Sequence, residues 1–216
     1  MVSSSLPPGW SVPLREQWIP RAATSILAVG EGNRHDVVPL VWLVAAHGGA
    51  GVSTLCQWWD FVGDADGRWP EKDTYPTVVV VAKATMESLG ACDTQVRSVA
   101  AGATTCVFLG VVVVDPQPRL PRRVEHRLTS LAATVEYAGG RLWRIPYYAG
   151  LVEVLVAELP TWSLGGPDEA THHSRRRPRE DVAQVVPEAV RQVGREIAEA
   201  ALGRLRAGKE TSRVGA

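Results

Sequence analysis

The segment AAHGGAGVSTL, Ala45 to Leu55, gathers three glycines, a histidine and two hydroxyl side chains into one short stretch. That composition suits anion chemistry. Glycines let successive backbone N–H groups converge on phosphate oxygens, and the start of a following helix adds positive potential. Against the phosphate-loop template G-x-x-x-x-G-K-[ST], Gly51, Ser53 and the helix-opening Thr54 stand where expected, and Val52 occupies the lysine position. The lysine of that template reaches the β- and γ-phosphates and balances charge developing in phosphoryl transfer, so its replacement predicts binding without efficient turnover. The candidate phosphate-binding set is Gly48, Gly49, Ala50, Gly51, Val52, Ser53 and Thr54, with Ser53 also a Mg²⁺ ligand through the nucleotide. His47 reads either as a weak phosphate contact or as a structural histidine hydrogen-bonded beside the turn, and no catalytic residue is assigned.

Other reactive arrangements fare less well. Gly51-Val52-Ser53-Thr54-Leu55 lacks the second glycine of the G-x-S-x-G nucleophile elbow. His172 and His173 are adjacent on a polar stretch and lack the i, i+4 spacing of helical metal ligands. Arg175, Arg176 and Arg177 neighbour Pro178 and acids, the pattern of a solvated linker more than of a nucleic-acid contact.

The elements that must position the glycine turn are legible around it. Val37 to Ala46 is a near-continuous apolar run, the pattern of a central parallel strand, and Ser53 to about Val62 places Leu55, Trp58, Trp59 and Val62 at helical spacing. The order strand, glycine turn, helix is the context a phosphate loop requires. Asp64 to Pro76 is rich in turn formers; Thr77 to Ala82 predicts a second strand and Met86 to Ala101 a helix. Cys106 to Val114 predicts a third strand, Glu125 to Tyr137 a helix, Arg141 to Ile145 a fourth strand and Ala149 to Leu159 a further helix. This alternation predicts an α/β fold with a mostly parallel sheet and helices on both faces, reduced in size and phosphate-loop-NTPase-like.

Flanking segments divide the chain into an irregular lead-in (1–36), the α/β domain (37–162), a polar linker (163–181), an amphipathic helix (182–208) and a disordered tail (209–216). The apolar stripe of the helix, from Val185 to Leu205, must dock on its own domain or on another subunit. Trp10 and Trp18 are candidates to staple the lead-in onto the domain; of Trp58 and Trp59, core packing is the default.

Lys and Arg total 23 and so do Asp and Glu, so no whole-molecule field recruits nucleic acid or an anionic membrane. Three cysteines, Cys56, Cys92 and Cys106, make neither a disulfide framework nor a zinc pair and suggest reduced cytosol. The opening residues do not resemble a secretory signal, and no apolar run approaches the roughly 20 residues of a membrane-spanning helix. The expected compartment is cytoplasmic.

The stretch H-G-G-A-G-V-S-T-L resembles the K-G-G-x-G-K-[ST]-T loop of the MinD/ParA deviant Walker ATPases, with His47 and Val52 at the two lysine positions. It is more similar to the atypical TadZ/CpaE-like branch, whose loop often reads G-G-x-G-A-S-T-L, and it also resembles an uncharacterised actinobacterial group carrying A-H-G-G-A-G-x-S-T-L. The likeness extends more weakly through TVVVVAKATMESLGACDTQV, FLGVVVVDPQPRLP and RLWRIPYY, roughly Val37 to Ala157. It implies ATP or ADP with Mg²⁺ as ligand, a homodimer, and a scaffold or positioning role with a protein partner. Two departures stand out. Asp115 occupies the place of an Asn that helps the family read the base, and the short interval before Thr77 leaves little room for a switch I and Walker B pair, of which Asp64 and Asp66 are the remnants.

The leading expectation is thus a nucleotide-binding pseudo-ATPase. The alternative is a ligand-free protein-interaction module of DNA transfer, partition or secretion machinery. A third class is an active ATPase that borrows a lysine or arginine from a partner, for which Lys83, Arg119 and Arg122 are the visible candidates.

Overall fold

Runs of β-branched residues favour extended backbone because their branched side chains pack well on a pleated surface. In the computed structural model, which describes residues 39–70, 77–165 and 181–214, these runs form a five-stranded sheet, every strand parallel to its neighbours. The strands are β1 (Val41–Ala45), β2 (Val62–Asp64), β3 (Thr77–Lys83), β4 (Val107–Val114) and β5 (Arg141–Ile145), in the order β2-β1-β3-β4-β5. The helices are α1 (Val52–Trp58), α2 (Met86–Ala100), α3 (Arg122–Tyr137) and α4 (Glu188–Val214).

Parallel strands need both faces covered. On one face Val78, Val80, Ala82, Val111 and Val113 meet Leu89, Cys92 and Val96 of α2 and Leu128, Leu131 and Val135 of α3. On the other, Val41, Leu43, Val79, Val81, Val112 and Ile145 meet Leu55 and Trp58 of α1 and Val190, Val193, Ile197 and Ala201 of α4. The α/β expectation therefore holds. The question of where the terminal helix docks is also answered, for α4 packs on its own sheet. Trp59 donates its indole N–H to the Val190 carbonyl at 3.2 Å, and Gly194 lets the helix approach so closely that a Cβ there would lie 2.7 Å from Trp59 Nε1. Both Trp58 and Trp59 are core residues.

Strand β4 carries an irregularity at Gly110, where the register with β3 shifts and φ is +149°. The extra residue inverts the pleat, so Leu109 faces the α1 and α4 side and Val111 the α2 and α3 side. A Cβ at 110 would fall 1.8 Å from the Arg141 carbonyl oxygen, which restricts the site to glycine.

Several expectations are corrected. The sheet has a fifth strand, β2, where the first helix was expected to end and a turn-rich stretch to begin; α1 stops earlier, at Trp58, because Trp59 turns extended, with φ −119° and ψ 118°. The helix expected over Ala149 to Leu159 is replaced by two short 3-10 turns, Ala149–Val152 and Val156–Glu158. Gly150 and the valines at 152, 154 and 156 weaken helix propensity there. The helix expected over 182–208 starts at Glu188, since Pro187 lacks an N–H and cannot sit inside a helix, and it continues through residues 209–214, which were expected as tail. Helix α3 begins at Arg122, three residues before the expected Glu125. The lead-in with Trp10 and Trp18, and His172, His173 and Arg175 to Arg177, lie outside the described residues. Among the described residues no helix is long and apolar enough to cross a membrane.

Candidate functional site

After β1 the chain moves to one side of the sheet for β2 and to the other for β3. In open α/β sheets a crevice forms at such a reversal, beyond the carboxyl ends of the strands. Here a cleft of about 830 Å³ opens there, lined by the turn from Ala46 to Gly51, the first turn of α1, and the ends of β2, β3, β4 and β5.

All the residues expected to bind phosphate reach this cleft: Gly48, Gly49, Ala50, Gly51, Val52, Ser53 and Thr54, with His47 beside them. Gly49 and Gly51 have positive φ, +79° and +106°, the left-handed conformation that recurs in anion-binding backbone nests. Within the turn Ala50 N–H donates to the His47 carbonyl at 3.3 Å, and Leu55 N–H closes on Gly51 O at 3.1 Å. The amides of Gly48, Gly49, Gly51, Val52, Ser53 and Thr54 have no backbone acceptor among the described residues. First-turn helix amides lack intrahelical partners in any case. Val52 is buried among Leu43, Leu55 and Val81, so it is a core residue as well as the substitute for lysine.

Three buried polar atoms of the cleft residues also lack a hydrogen-bond partner among the described residues: His47 Nε2, Trp58 Nε1 and Gln95 Oε1. The other nitrogen of His47, Nδ1, lies 2.5 Å from the Gly48 carbonyl oxygen, and Gln95 donates from Nε2 to the Ala45 carbonyl at 3.3 Å. Buried polar groups are rarely left unsatisfied, and three of the five such atoms among the described residues gather here. The site thus offers backbone donors at one end. At the other, Pro116, Pro146, Tyr147 and Leu151 form a more apolar wall, where Tyr148 meets Trp58 edge-on at 6.2 Å between ring centroids.

The acids divide into two roles. Asp115 is committed to Arg144, which donates from Nε to both carboxylate oxygens at 2.8 and 2.9 Å and reaches Glu125 through its other nitrogens. These contacts, with the hydrogen bond to Asp115 foremost, hold the Arg144 guanidinium above its ordinary pKa. Arg144 therefore ties β5 both to Asp115 at the end of β4 and to Glu125 of α3. Asp64 ends β2 inside the cleft and accepts from Asp66 N–H at 2.8 Å. Partial burial pushes its carboxyl above the usual aspartate range, an effect that the Asp66 amide opposes and the Asp66 charge reinforces. Among the described residues no group of three or more His, Cys, Asp or Glu gathers to hold a metal. A Mg²⁺ ion at Ser53 would need phosphate oxygens to complete its shell.

Of the basic residues considered from sequence, Lys83 lines the cleft, whereas Arg119 and Arg122 lie outside it on the turn leading into α3 and at its first residue. Gln95 and Arg144 were not singled out by the sequence. Gln95 reaches the cleft from the middle of α2, and Arg144 sits in a strand too short to show which face it presents; neither belongs to a local motif.

Neither a family model, nor a curated protein, nor a solved structure matches this chain.

Proposed function

We propose that this protein binds a nucleoside di- or triphosphate, ATP or ADP with Mg²⁺, through the uncommitted backbone amides between Gly48 and Thr54, turns it over poorly, and serves as a nucleotide-responsive scaffold or positioning factor. The observation that carries the reading is the set of uncommitted amides curled by Gly49 and Gly51 at the mouth of the cleft. Ser53 would hold the metal that accompanies the phosphates, and Asp64 stands in the same cleft. The metal would neutralise phosphate charge; the chain's own amides would orient it. Val52 in place of lysine supports weak turnover, and the three free thiols support a reducing, cytosolic setting.

Calorimetric titration of ATP and ADP, with and without Mg²⁺, into the wild type and Gly51→Asp tests this. Saturable binding abolished by the substitution is expected; no heat at millimolar nucleotide, or binding that Gly51→Asp leaves intact, rejects the reading.

One observation favours the alternative of a protein-interaction module. Val152, Leu155 and Val156 are 79, 69 and 41% exposed on the segment that borders the cleft, an apolar cluster suited to a protein partner or a second copy. Sedimentation of the wild type and Val152→Ser/Leu155→Ser, each with and without ATP, separates the readings. Self-association lost in the variant and indifferent to nucleotide supports a module alone.

A further inference from the structure

The phosphate-binding reading leaves a charge problem, since a di- or triphosphate would enter a turn that lacks its lysine. Resting on that reading, we infer that Lys83, at the end of β3, supplies the cation that Val52 does not, reaching the terminal phosphates from the neighbouring strand.

Three placements carry this. First, β3 pairs directly with β1, and the last registered pair is Ala45 with Val81; two residues further on stand His47 and Lys83. Second, side chains alternate along β3. Val79 and Val81 face the α1 side and Val78, Val80 and Ala82 the opposite side, so Lys83 continues the series toward α1 and the glycine turn. Third, Val114 is a common neighbour. It pairs with Lys83 in the sheet, and a Cβ on Gly51 would lie 3.8 Å from its Cγ2.

The backbone under Lys83 is fixed. Its N–H donates to Ser88 Oγ at 2.8 Å, the next amide donates to the Val114 carbonyl at 2.9 Å, and Thr85 caps α2 immediately afterwards. Only the side chain remains to be ordered. Among the described residues no carboxylate lies within ion-pair distance of its ammonium, and Asp115, next to its sheet partner, is already held by Arg144. A half-buried lysine at a cleft wall, without an internal counter-ion, suits an anionic ligand better than a structural ion pair. Lysine acts on phosphate as a point charge, so its contribution grows with the number of phosphates within reach.

The test compares ATP, ADP, AMP and pyrophosphate as titrants of wild type, Lys83→Met, Lys83→Arg and the control Arg119→Met, with thermal unfolding of each protein recorded alongside. Lys83→Met is expected to weaken ATP binding by about 10- to 100-fold, the range of one charge-assisted contact, while leaving folding intact. The loss should shrink from ATP to AMP, Lys83→Arg should retain most of the affinity, and Arg119→Met should match the wild type. Wild-type binding that Lys83→Met leaves unchanged, or weakens equally for ATP and AMP, overturns the assignment of Lys83 and leaves the phosphate site standing. A wild type that binds none of the four overturns both.

Discussion

Replacing Gly110 by alanine should cost this protein a large part of its stability, and the size of the loss follows from the bulge in β4. The added methyl carbon would lie 1.8 Å from the Arg141 carbonyl oxygen, 2.7 Å from its amide nitrogen and 2.8 Å from its carbonyl carbon. A close C–H to oxygen contact needs about 3.3 Å, so β4 and β5 must part locally by roughly 1.5 Å. Two ladder hydrogen bonds weakened at about 1 kcal/mol each, plus about 1–3 kcal/mol for an L-residue at this φ, give a loss of about 3–5 kcal/mol. Domains of this kind hold about 5–15 kcal/mol in total. Urea unfolding followed by tryptophan fluorescence reads the effect directly, because Trp58, Trp59 and Trp143 are all buried. The midpoint should fall by roughly 1–2 M. Gly90→Ala is the internal contrast. Gly90 lies inside α2 with nothing within 4 Å of its added Cβ, and the change should raise stability by about 0.5–1 kcal/mol. If Gly110→Ala shifts the midpoint no more than Gly90→Ala does, with the slope unchanged, the bulge is not the constraint described above.

Further outcomes can be checked with the same assay. Gly194→Ala should destabilise by about 1–3 kcal/mol despite the better helix propensity of alanine, because the methyl meets Trp59 Nε1 at 2.7 Å and Trp162 at 3.0 Å; a gain in stability would refute the close approach of α4. Arg144→Met should cost about 1–3 kcal/mol by leaving the Asp115 carboxylate, only 10% exposed, without the Nε–H that both its oxygens share, and Asp115→Asn in the same chain should recover part of that loss. Asp64→Asn should stabilise the protein at neutral pH. The folded carboxyl has its pKa raised, so the native state holds the proton more tightly than the unfolded chain, and stability falls as pH rises through the interval above about 3.9. The advantage of the variant should disappear at pH below that value; an advantage independent of pH would reject burial of the charge as its cause.

The layered architecture was legible because long valine runs and helical periods leave a strong mark on sequence. Arg141–Ile145 was expected as a strand and forms one over those residues. Strand β2 was not visible: three residues cannot show a period, and Trp58 and Trp59 extended the apparent helix toward it. The segment after Pro146 misled in the opposite sense, since its apolar spacing imitates a helix while Val152, Leu155 and Val156 are exposed. As for the site, the glycine turn announced itself through local spacing, whereas the positions of Lys83, Gln95 and Asp64 around it depend on the strand order. That order is decided by which faces bury which residues, and no local motif encodes it.

The division of labour between α1 and α4 bears on how the chain folds as it leaves the ribosome. The α2 and α3 side of the sheet is supplied from 86 to 137 and can close as soon as β5 has emerged. Its opposite side meets only the seven-residue α1 and the segment from Tyr148 to Trp162 until Val190 to Ala201 are made, so the part of that face that α4 covers, Trp143 included, waits incompletely covered for roughly fifty residues of synthesis. A nascent chain arrested near residue 165 would therefore present a sheet closed on one side and adhesive on the other, a natural target for holdase chaperones. Removing α4 to test a binding role would recreate that intermediate rather than isolate a tail.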